Sequence, residues 1–189
     1  IGLCLLLYSL AHWAALRDRV FLYYAASVGG TSAFFLAYFG LAPEHLWPGS
    51  PWLTQNAAPA SVLVALWGGL LFLERILRVG ELNAWVSRVM AAMAWIALAA
   101  TGAFALDLID YRSAQLVSTI LGPMPVLFGV PIAWLRMRGG DRLMIYFFVG
   151  WGIYAVGIVV MALLLRGYLP ADWLTQHAFQ FGSIAEMAL

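Results

Sequence analysis

Apolar blocks long enough to cross a bilayer recur from one end of the chain to the other, and no water-soluble fold tolerates that pattern. About 20 apolar residues span a hydrocarbon layer ~30 Å thick. Such blocks fall at Ile1–Leu16, Phe21–Leu41, Pro59–Leu77, Trp85–Leu106, Ala114–Leu135, Leu143–Leu165 and Leu174–Leu189. None alternates polar and apolar residues over ten positions, as a membrane-barrel strand does. A helix satisfies its own backbone hydrogen bonds, which lipid demands. The expected fold is all-α: a polytopic membrane protein, with 1–189 forming one seven-transmembrane-helix bundle. Composition agrees, since 10% of residues are charged against about 25% in soluble domains. The first and last blocks are short at their outer ends. The chain therefore reads as an excerpt from a longer protein, cut within its first and last spans.

The loops set an orientation. Arg17, Arg19, Arg75, Arg78, Arg88, Arg136, Arg138 and Arg142 follow the odd-numbered spans, and only Arg112 and Arg166 follow the even-numbered ones. Basic loops stay in the cytoplasm, so the N-terminus is expected outside and the C-terminus inside. Glu44, Asp107, Asp110 and Asp172 then lie in outer loops, with Trp47, Trp52, Tyr111, Tyr168 and Trp173 at interface depth. The longest outer loop, Ala42–Pro59, is rich in proline and reads as a turn-rich cap. Trp47 and Trp52 are its expected anchors, folding it back over the outer end of the bundle.

Small residues permit close helix approach in lipid. They recur at Ala97, Thr101 and Ala105, at Ala99 and Ala103, at Gly150 and Gly157, and at Ser27, Gly29, Gly30, Thr31 and Ser32. Helix packing is the plain reading of each group, and a substrate path the sharper one. Pro123, Pro125 and Pro131 interrupt the fifth span. Proline removes a helix hydrogen bond, so a kinked or mobile helix is expected there. Transporters also use broken helices to bind ions near the midplane, but no acidic residue lies within this span.

Glu186 is the leading candidate for a functional group. It follows about a dozen helical residues from the outer surface, which places it near the membrane middle at 1.5 Å per residue. An intramembrane carboxylate is costly to insert and marks a candidate functional site. Gln180, Ser183 and Glu186 fall at three-residue steps along one arc of the seventh helix. Candidate partners at matching depth are Ser27, Thr31 and Ser32 of the second span and Tyr8 or His12 of the first. A structural hydrogen-bond network and a role in ligand response or signal transmission both fit these residues. His12, with Tyr8 and Ser9 preceding it by four and three residues, reads first as a packed, hydrogen-bonded histidine. Glu74 and Arg78 are spaced for an i,i+4 pair at the inner boundary. His45 and His177 read as solvated residues of a loop and a helix end. Gly139-Gly140-Asp141 reads as a tight turn with an aspartate cap.

Several chemistries are excluded or unsupported. All ten basic residues are arginine, so no lysine can hold retinal as a Schiff base. The three histidines are scattered and supply no facing haem pair. Neither a nucleophile elbow nor an H-E-x-x-H helix is present. A single cysteine, Cys4, permits no internal disulfide and no zinc spacing. No cofactor, no metal and no nucleic-acid partner is expected, and the chain is not expected to be an enzyme.

The loop motifs carry a family resemblance. Leu16-Arg17-Asp18-Arg19 followed by Phe21-Leu22-Tyr23-Tyr24-Ala25 resembles the first cytoplasmic turn of bacterial seven-transmembrane receptors with diverse intracellular signalling modules. Gly40-Leu41-Ala42 with Leu46-Trp47-Pro48-Gly49-Ser50-Pro51-Trp52 is similar to that family's first outer loop. Gly167-Tyr168-Leu169-Pro170, Leu174-Thr175, Gln180-Phe181-Gly182-Ser183 and Glu186 resemble the start of its seventh span. Spans three to five match in hydrophobic character. The resemblance implies a multi-pass sensor of the bacterial inner membrane, with an extracytoplasmic ligand domain before this chain. It also implies a cytoplasmic histidine kinase, diguanylate cyclase or phosphatase after it, within two-component or cyclic-di-GMP signalling. Because such output modules work in pairs, a homodimer is implied too. The alternative from another class is a small-solute transporter or channel.

Overall fold

The computed structural model describes residues 2–188. Ile1 and Leu189, the outer limits of the first and last expected spans, lie outside the described residues. In chain order the helices are α1 (Gly2–Leu16), α2 (Arg19–Tyr38), α3 (Leu41–His45), α4 (Pro51–Ile76), α5 (Val79–Leu82), α6 (Ala84–Ala105), α7 (Tyr111–Leu121), α8 (Met124–Arg138), α9 (Met144–Leu165) and α10 (Trp173–Ala188). No strand occurs among the described residues. Five stretches are long and apolar enough to cross a membrane: α2, α4, α6, the α7–α8 stretch and α9, with mean hydropathy from 1.4 to 2.3. With the shorter α1 and α10 they account for the seven expected blocks.

Two boundaries differ from expectation. The third span starts at Pro51, eight residues before Pro59, and the outer loop is correspondingly shorter. Ser50 accepts a hydrogen bond from the Leu53 amide at 3.5 Å, and Pro51 occupies the first helical position, where its missing N–H has no helical partner to lose. Pro59 sits inside the helix. The fifth span is broken rather than bent: α7 ends at Leu121, Gly122 and Pro123 form a turn, and α8 begins at Met124. Pro123 and Pro125 have no N–H to offer the carbonyls of Thr119 and Leu121, which accounts for the interruption.

The chain divides into two compact units at Pro125. In the unit covering residues 1–125, α4 is the hub. Helix α2 crosses it with backbone against backbone. A Cβ on Gly30 would lie 2.6 Å from the Ala65 nitrogen and 2.7 Å from the Ser61 oxygen. A Cβ on Gly68 would lie 2.5 Å from the Tyr23 oxygen and 2.6 Å from the Ser27 nitrogen. Contacts this close require glycine on one helix and small residues on the other. On the far side, Leu63 packs with Phe104 and Ala114, and Leu66 with Ala97 and Leu121, so α6 and α7 close the core. These pairings run α2 and α6 antiparallel to α4. Arg17, Arg19, Arg75, Arg78 and Arg88 consequently gather at one end of the unit, and Trp47, Trp52 and Asp107 at the other.

The second unit, residues 126–189, contains most of α8 and the α9–α10 hairpin. Gly157 and Gly182 bring the hairpin helices together. A Cβ on Gly157 would lie 2.8 Å from the Ala178 oxygen, and one on Gly182 would lie 3.1 Å from the Tyr154 Cα. Helix α10 starts with a reciprocal cap. Asp172 Oδ1 accepts from the Thr175 amide at 2.8 Å, while Thr175 Oγ1 accepts from the Asp172 amide at 3.1 Å.

Candidate functional site

Along α10, residues 179, 182 and 186 follow the spacing of a helix–helix seam, and each has a relation to one residue of α9. The Phe179 ring lies 5.6 Å from that of Tyr154. Gly182 meets the Tyr154 backbone. Glu186 is half-buried and within electrostatic reach of the Tyr154 phenol. Ser183, beside this seam, is 1% exposed, and Gln180 is half-buried. The carboxylate is thus carried on an edge of α10 that packs against protein. About thirteen residues separate it from Trp173 at the start of the helix, roughly 20 Å of rise.

Tyr154 is the functional candidate that sequence reasoning missed. It stands in a run of aromatic residues along α9, with Phe147 stacked on Trp151 at 5.6 Å and Trp151 edge-on to Tyr154 at 5.5 Å. In sequence it looks like one more apolar position. The partners expected for Glu186, namely Tyr8, His12, Ser27, Thr31 and Ser32, all belong to the first unit. Within the second unit Tyr154 lies within its electrostatic reach.

The first-span candidates form their own group. His12 Nδ1 lies 3.0 Å from the Tyr8 carbonyl, and its ring stands 4.0 Å from that of Tyr8 and 5.2 Å from that of Phe21. Ser9 is buried and donates to the Leu5 carbonyl at 2.7 Å, whereas Tyr8 is exposed. The step from 8 to 9 turns about 100° around the helix, so Ser9 faces the core while Tyr8 faces outward. His177 approaches the Trp173 carbonyl at 2.8 Å and stacks on its ring.

The loop tryptophans behave differently from each other. Trp52 donates its indole N–H to Asp107 Oδ1 at 3.3 Å and lies 6.5 Å from Phe104, tying the start of α4 to the end of α6. Trp47 is half-buried, its Nε1 shielded and without a hydrogen-bond partner, while its amide bonds to the Ala42 carbonyl at 3.1 Å. At the arginine-bearing end, Glu74 accepts from Ser87 Oγ at 2.7 Å and pairs with Arg75 Nε at 3.3 Å. Arg78, the partner expected from spacing, lies past the helix end with a left-handed backbone at φ 45°. The Gly139–Asp141 segment is a turn, and Asp141 Oδ1 accepts from the Leu143 amide at 3.2 Å.

Two carboxylates outside the spans are tuned by their caps. The Ser113 hydroxyl and then its amide hold Asp110 below the ordinary carboxylate value. The Thr175 amide and then its hydroxyl do the same for Asp172.

The small-residue faces are used inside the units. Ala97 is buried against Leu66 and Leu121, and Gly157 against α10; Ala99 and Ala105 remain exposed. Neither a curated protein nor a solved structure matches the chain. A family model for 7TM diverse intracellular signalling matches residues 1–189. With that match over its full length and an all-α membrane architecture, the chain belongs to the 7TM diverse intracellular signalling family.

Proposed function

We propose that this bundle is the transmitting domain of a receptor in the bacterial inner membrane. Its N-terminus lies outside, and α10 leads into a cytoplasmic output module of the histidine kinase, diguanylate cyclase or phosphatase class. It works as a homodimer and relays a signal received by an extracytoplasmic domain. The family match supports a signalling role for the chain. The observation behind this mechanism is the close α9–α10 hairpin, in which Gly157 and Gly182 bring the two backbones together and Phe179 lies 5.6 Å from the Tyr154 ring; Glu186 falls one turn beyond Gly182 on the same edge of α10. A polar contact on an otherwise apolar helix seam can bias two arrangements of that helix. A shift or rotation of α10 would then reach whatever follows it.

The test uses the full-length receptor, assayed for basal and ligand-stimulated output at matched expression. Glu186→Ala should change one or both outputs without preventing membrane insertion, and Glu186→Gln, which keeps shape and hydrogen bonding, should do less. Unchanged output in Glu186→Ala would remove this residue from transmission. The break at Gly122–Pro123 favours a second reading, a path for a small solute. Solute uptake by liposomes containing the purified chain, above that of empty liposomes, would support it.

A further inference from the structure

The turn between α8 and α9 forms an amphipathic notch that plays no part in the reading above. Met137, Arg142, Leu143, Ile145 and Tyr146 line a groove of about 440 Å³. It offers one guanidinium and one phenol hydroxyl, and the remaining walls are a thioether and branched aliphatic chains. No carboxylate lines it. Asp141 lies next in sequence to Arg142 but is turned to the backbone, accepting from the Leu143 amide. Arg142 is exposed, and Leu143, Ile145 and Tyr146 are exposed as well. Arg138, one turn away across the Gly139–Gly140 bend, lies 3.9 Å over the Trp134 ring, an aromatic–cation pair typical of the headgroup boundary.

Exposed apolar walls beside an arginine, at the point where an apolar helix starts, suit a ligand with an anionic head and a hydrocarbon tail. We propose that this notch is a binding site for an anionic phospholipid. The phosphate is held by Arg142, with the Tyr146 hydroxyl as a second donor, and the first part of an acyl chain lies along Leu143 and Ile145. Arginine suits the head because its planar fork meets two phosphate oxygens at once. Basic pockets between transmembrane helices are known lipid-headgroup sites.

A second groove provides an internal contrast. Glu74, Arg75, Arg78, Gly80 and Glu81 line about 350 Å³ beside α5. It carries as many carboxylates as guanidiniums, so it offers no net positive charge, and none of its lining side chains is wholly apolar. Abundant arginine alone therefore does not define the site.

The proposal depends only on the chain lying in a membrane and stands apart from the signalling role. The experiment measures lipid retention by native mass spectrometry of the detergent-purified chain, offered equal amounts of phosphatidylglycerol and phosphatidylcholine. Wild type should retain phosphatidylglycerol preferentially. Arg142→Gln should lower that preference about fivefold, the worth of one arginine at an anionic surface. Arg142→Lys should keep part of it, Leu143→Asn should weaken retention of both lipids, and Arg75→Gln should change nothing. Each variant is checked for a monodisperse elution profile, and Arg142→Lys serves as the folded reference if Arg142→Gln fails that check. Equal retention by Arg142→Gln or Arg142→Lys and wild type would overturn the site. Displacement of phosphatidylglycerol by millimolar inorganic phosphate would overturn the lipid assignment in favour of a free-anion site. An equal loss in Arg75→Gln would show generic attraction to the basic end and overturn the notch as a defined site.

Discussion

Adding one methyl group at Gly68 tests whether the α2–α4 crossing is the backbone-to-backbone contact that organises the first unit. A Cβ there would lie 2.5 Å from the Tyr23 oxygen, 2.6 Å from the Ser27 nitrogen and 2.9 Å from the Ala26 Cβ. Two of these are main-chain atoms that cannot rotate away. Ordinary contact begins near 3.4 Å, so α4 must withdraw from α2 by about 0.9 Å at the crossing. A gap of that size forfeits a quarter to a half of each dispersion contact. With a few tens of atom pairs at ~0.1–0.2 kcal/mol each, the loss is about 2 kcal/mol. Alanine returns about 0.5–1 kcal/mol through its better helix propensity. The net expectation for Gly68→Ala is a destabilisation of about 1–1.5 kcal/mol, near the low end of measured overpacking costs. Two references bracket it. At Gly69 the nearest atom is the Ser27 hydroxyl at 3.3 Å, which can rotate, so Gly69→Ala should be close to neutral. At Gly102 nothing lies within 4 Å, so Gly102→Ala should be neutral or more stable. Reversible unfolding of the purified chain in mixed micelles ranks the three. If Gly68→Ala proved as stable as Gly102→Ala, the close crossing would be wrong.

Three further outcomes follow from contacts at the ends of the spans. Trp52→Phe keeps a ring beside Phe104 and loses only the 3.3 Å bond to Asp107; its cost should stay under about 1 kcal/mol, as for an exposed hydrogen bond, and a loss several times larger in the same unfolding assay would contradict it. Ser87→Ala removes the 2.7 Å donor to Glu74, whose side chain is 17% exposed and keeps Arg75; about 1 kcal/mol of stability should disappear, and in a Glu74→Ala background the same substitution should cost nothing further. Acidification should weaken the starts of α7 and α10. Asp110 and Asp172 are held below their ordinary value of 3.8 by hydrogen bonds that exist only in the folded chain, so the stabilisation is present above that value and is lost as pH falls through the lowered one. Carboxyl NMR titrations should give midpoints below 3.8, and midpoints at or above it would refute the capping.

Span number and helical class were legible because a 20-residue apolar block has one structural outcome in lipid. The start of α4 was not. Ser50-Pro51 reads equally as turn chemistry and as a capped helix start with proline in the first position, and local sequence cannot separate the two. The break in the fifth span was half legible: three prolines announced a disturbance, but only the Gly122–Pro123 turn turned a bend into an interruption. The small residues of α2 are conspicuous in sequence, whereas their counterparts Ser61, Ala65 and Gly68 in α4 are spread through a leucine-rich helix, although their four- and three-residue spacing carries the same signal. Glu186 stood out because charge is rare in a span. Tyr154 did not, because nothing in an aromatic-rich helix marks which ring will meet the next span. Periodicity assigns a residue to an arc of its own helix, and pairing two arcs requires the tertiary contact.

The seam between α9 and α10 bears on how a helix could move without the bundle coming apart. Gly157 and Gly182 let the two backbones approach closely and leave few side-chain knobs to lock their register. A smooth seam of this kind resists separation, since withdrawal loses many contacts at once, yet offers little resistance to sliding or rotation about the long axis. Register must then come from the residues that flank the glycines: Phe179 against the Tyr154 ring, and Glu186 within electrostatic reach of the same residue. On the proposed reading, Tyr154 is a fulcrum met by Phe179 and by Gly182 one turn on, with Glu186 a further turn along the same edge. Losing the carboxylate would alter the preferred position of the helix while leaving the glycine contacts intact. That separation accounts for why a change at Glu186 should alter output at normal expression, whereas a bulky residue at Gly157 or Gly182 should impair folding itself.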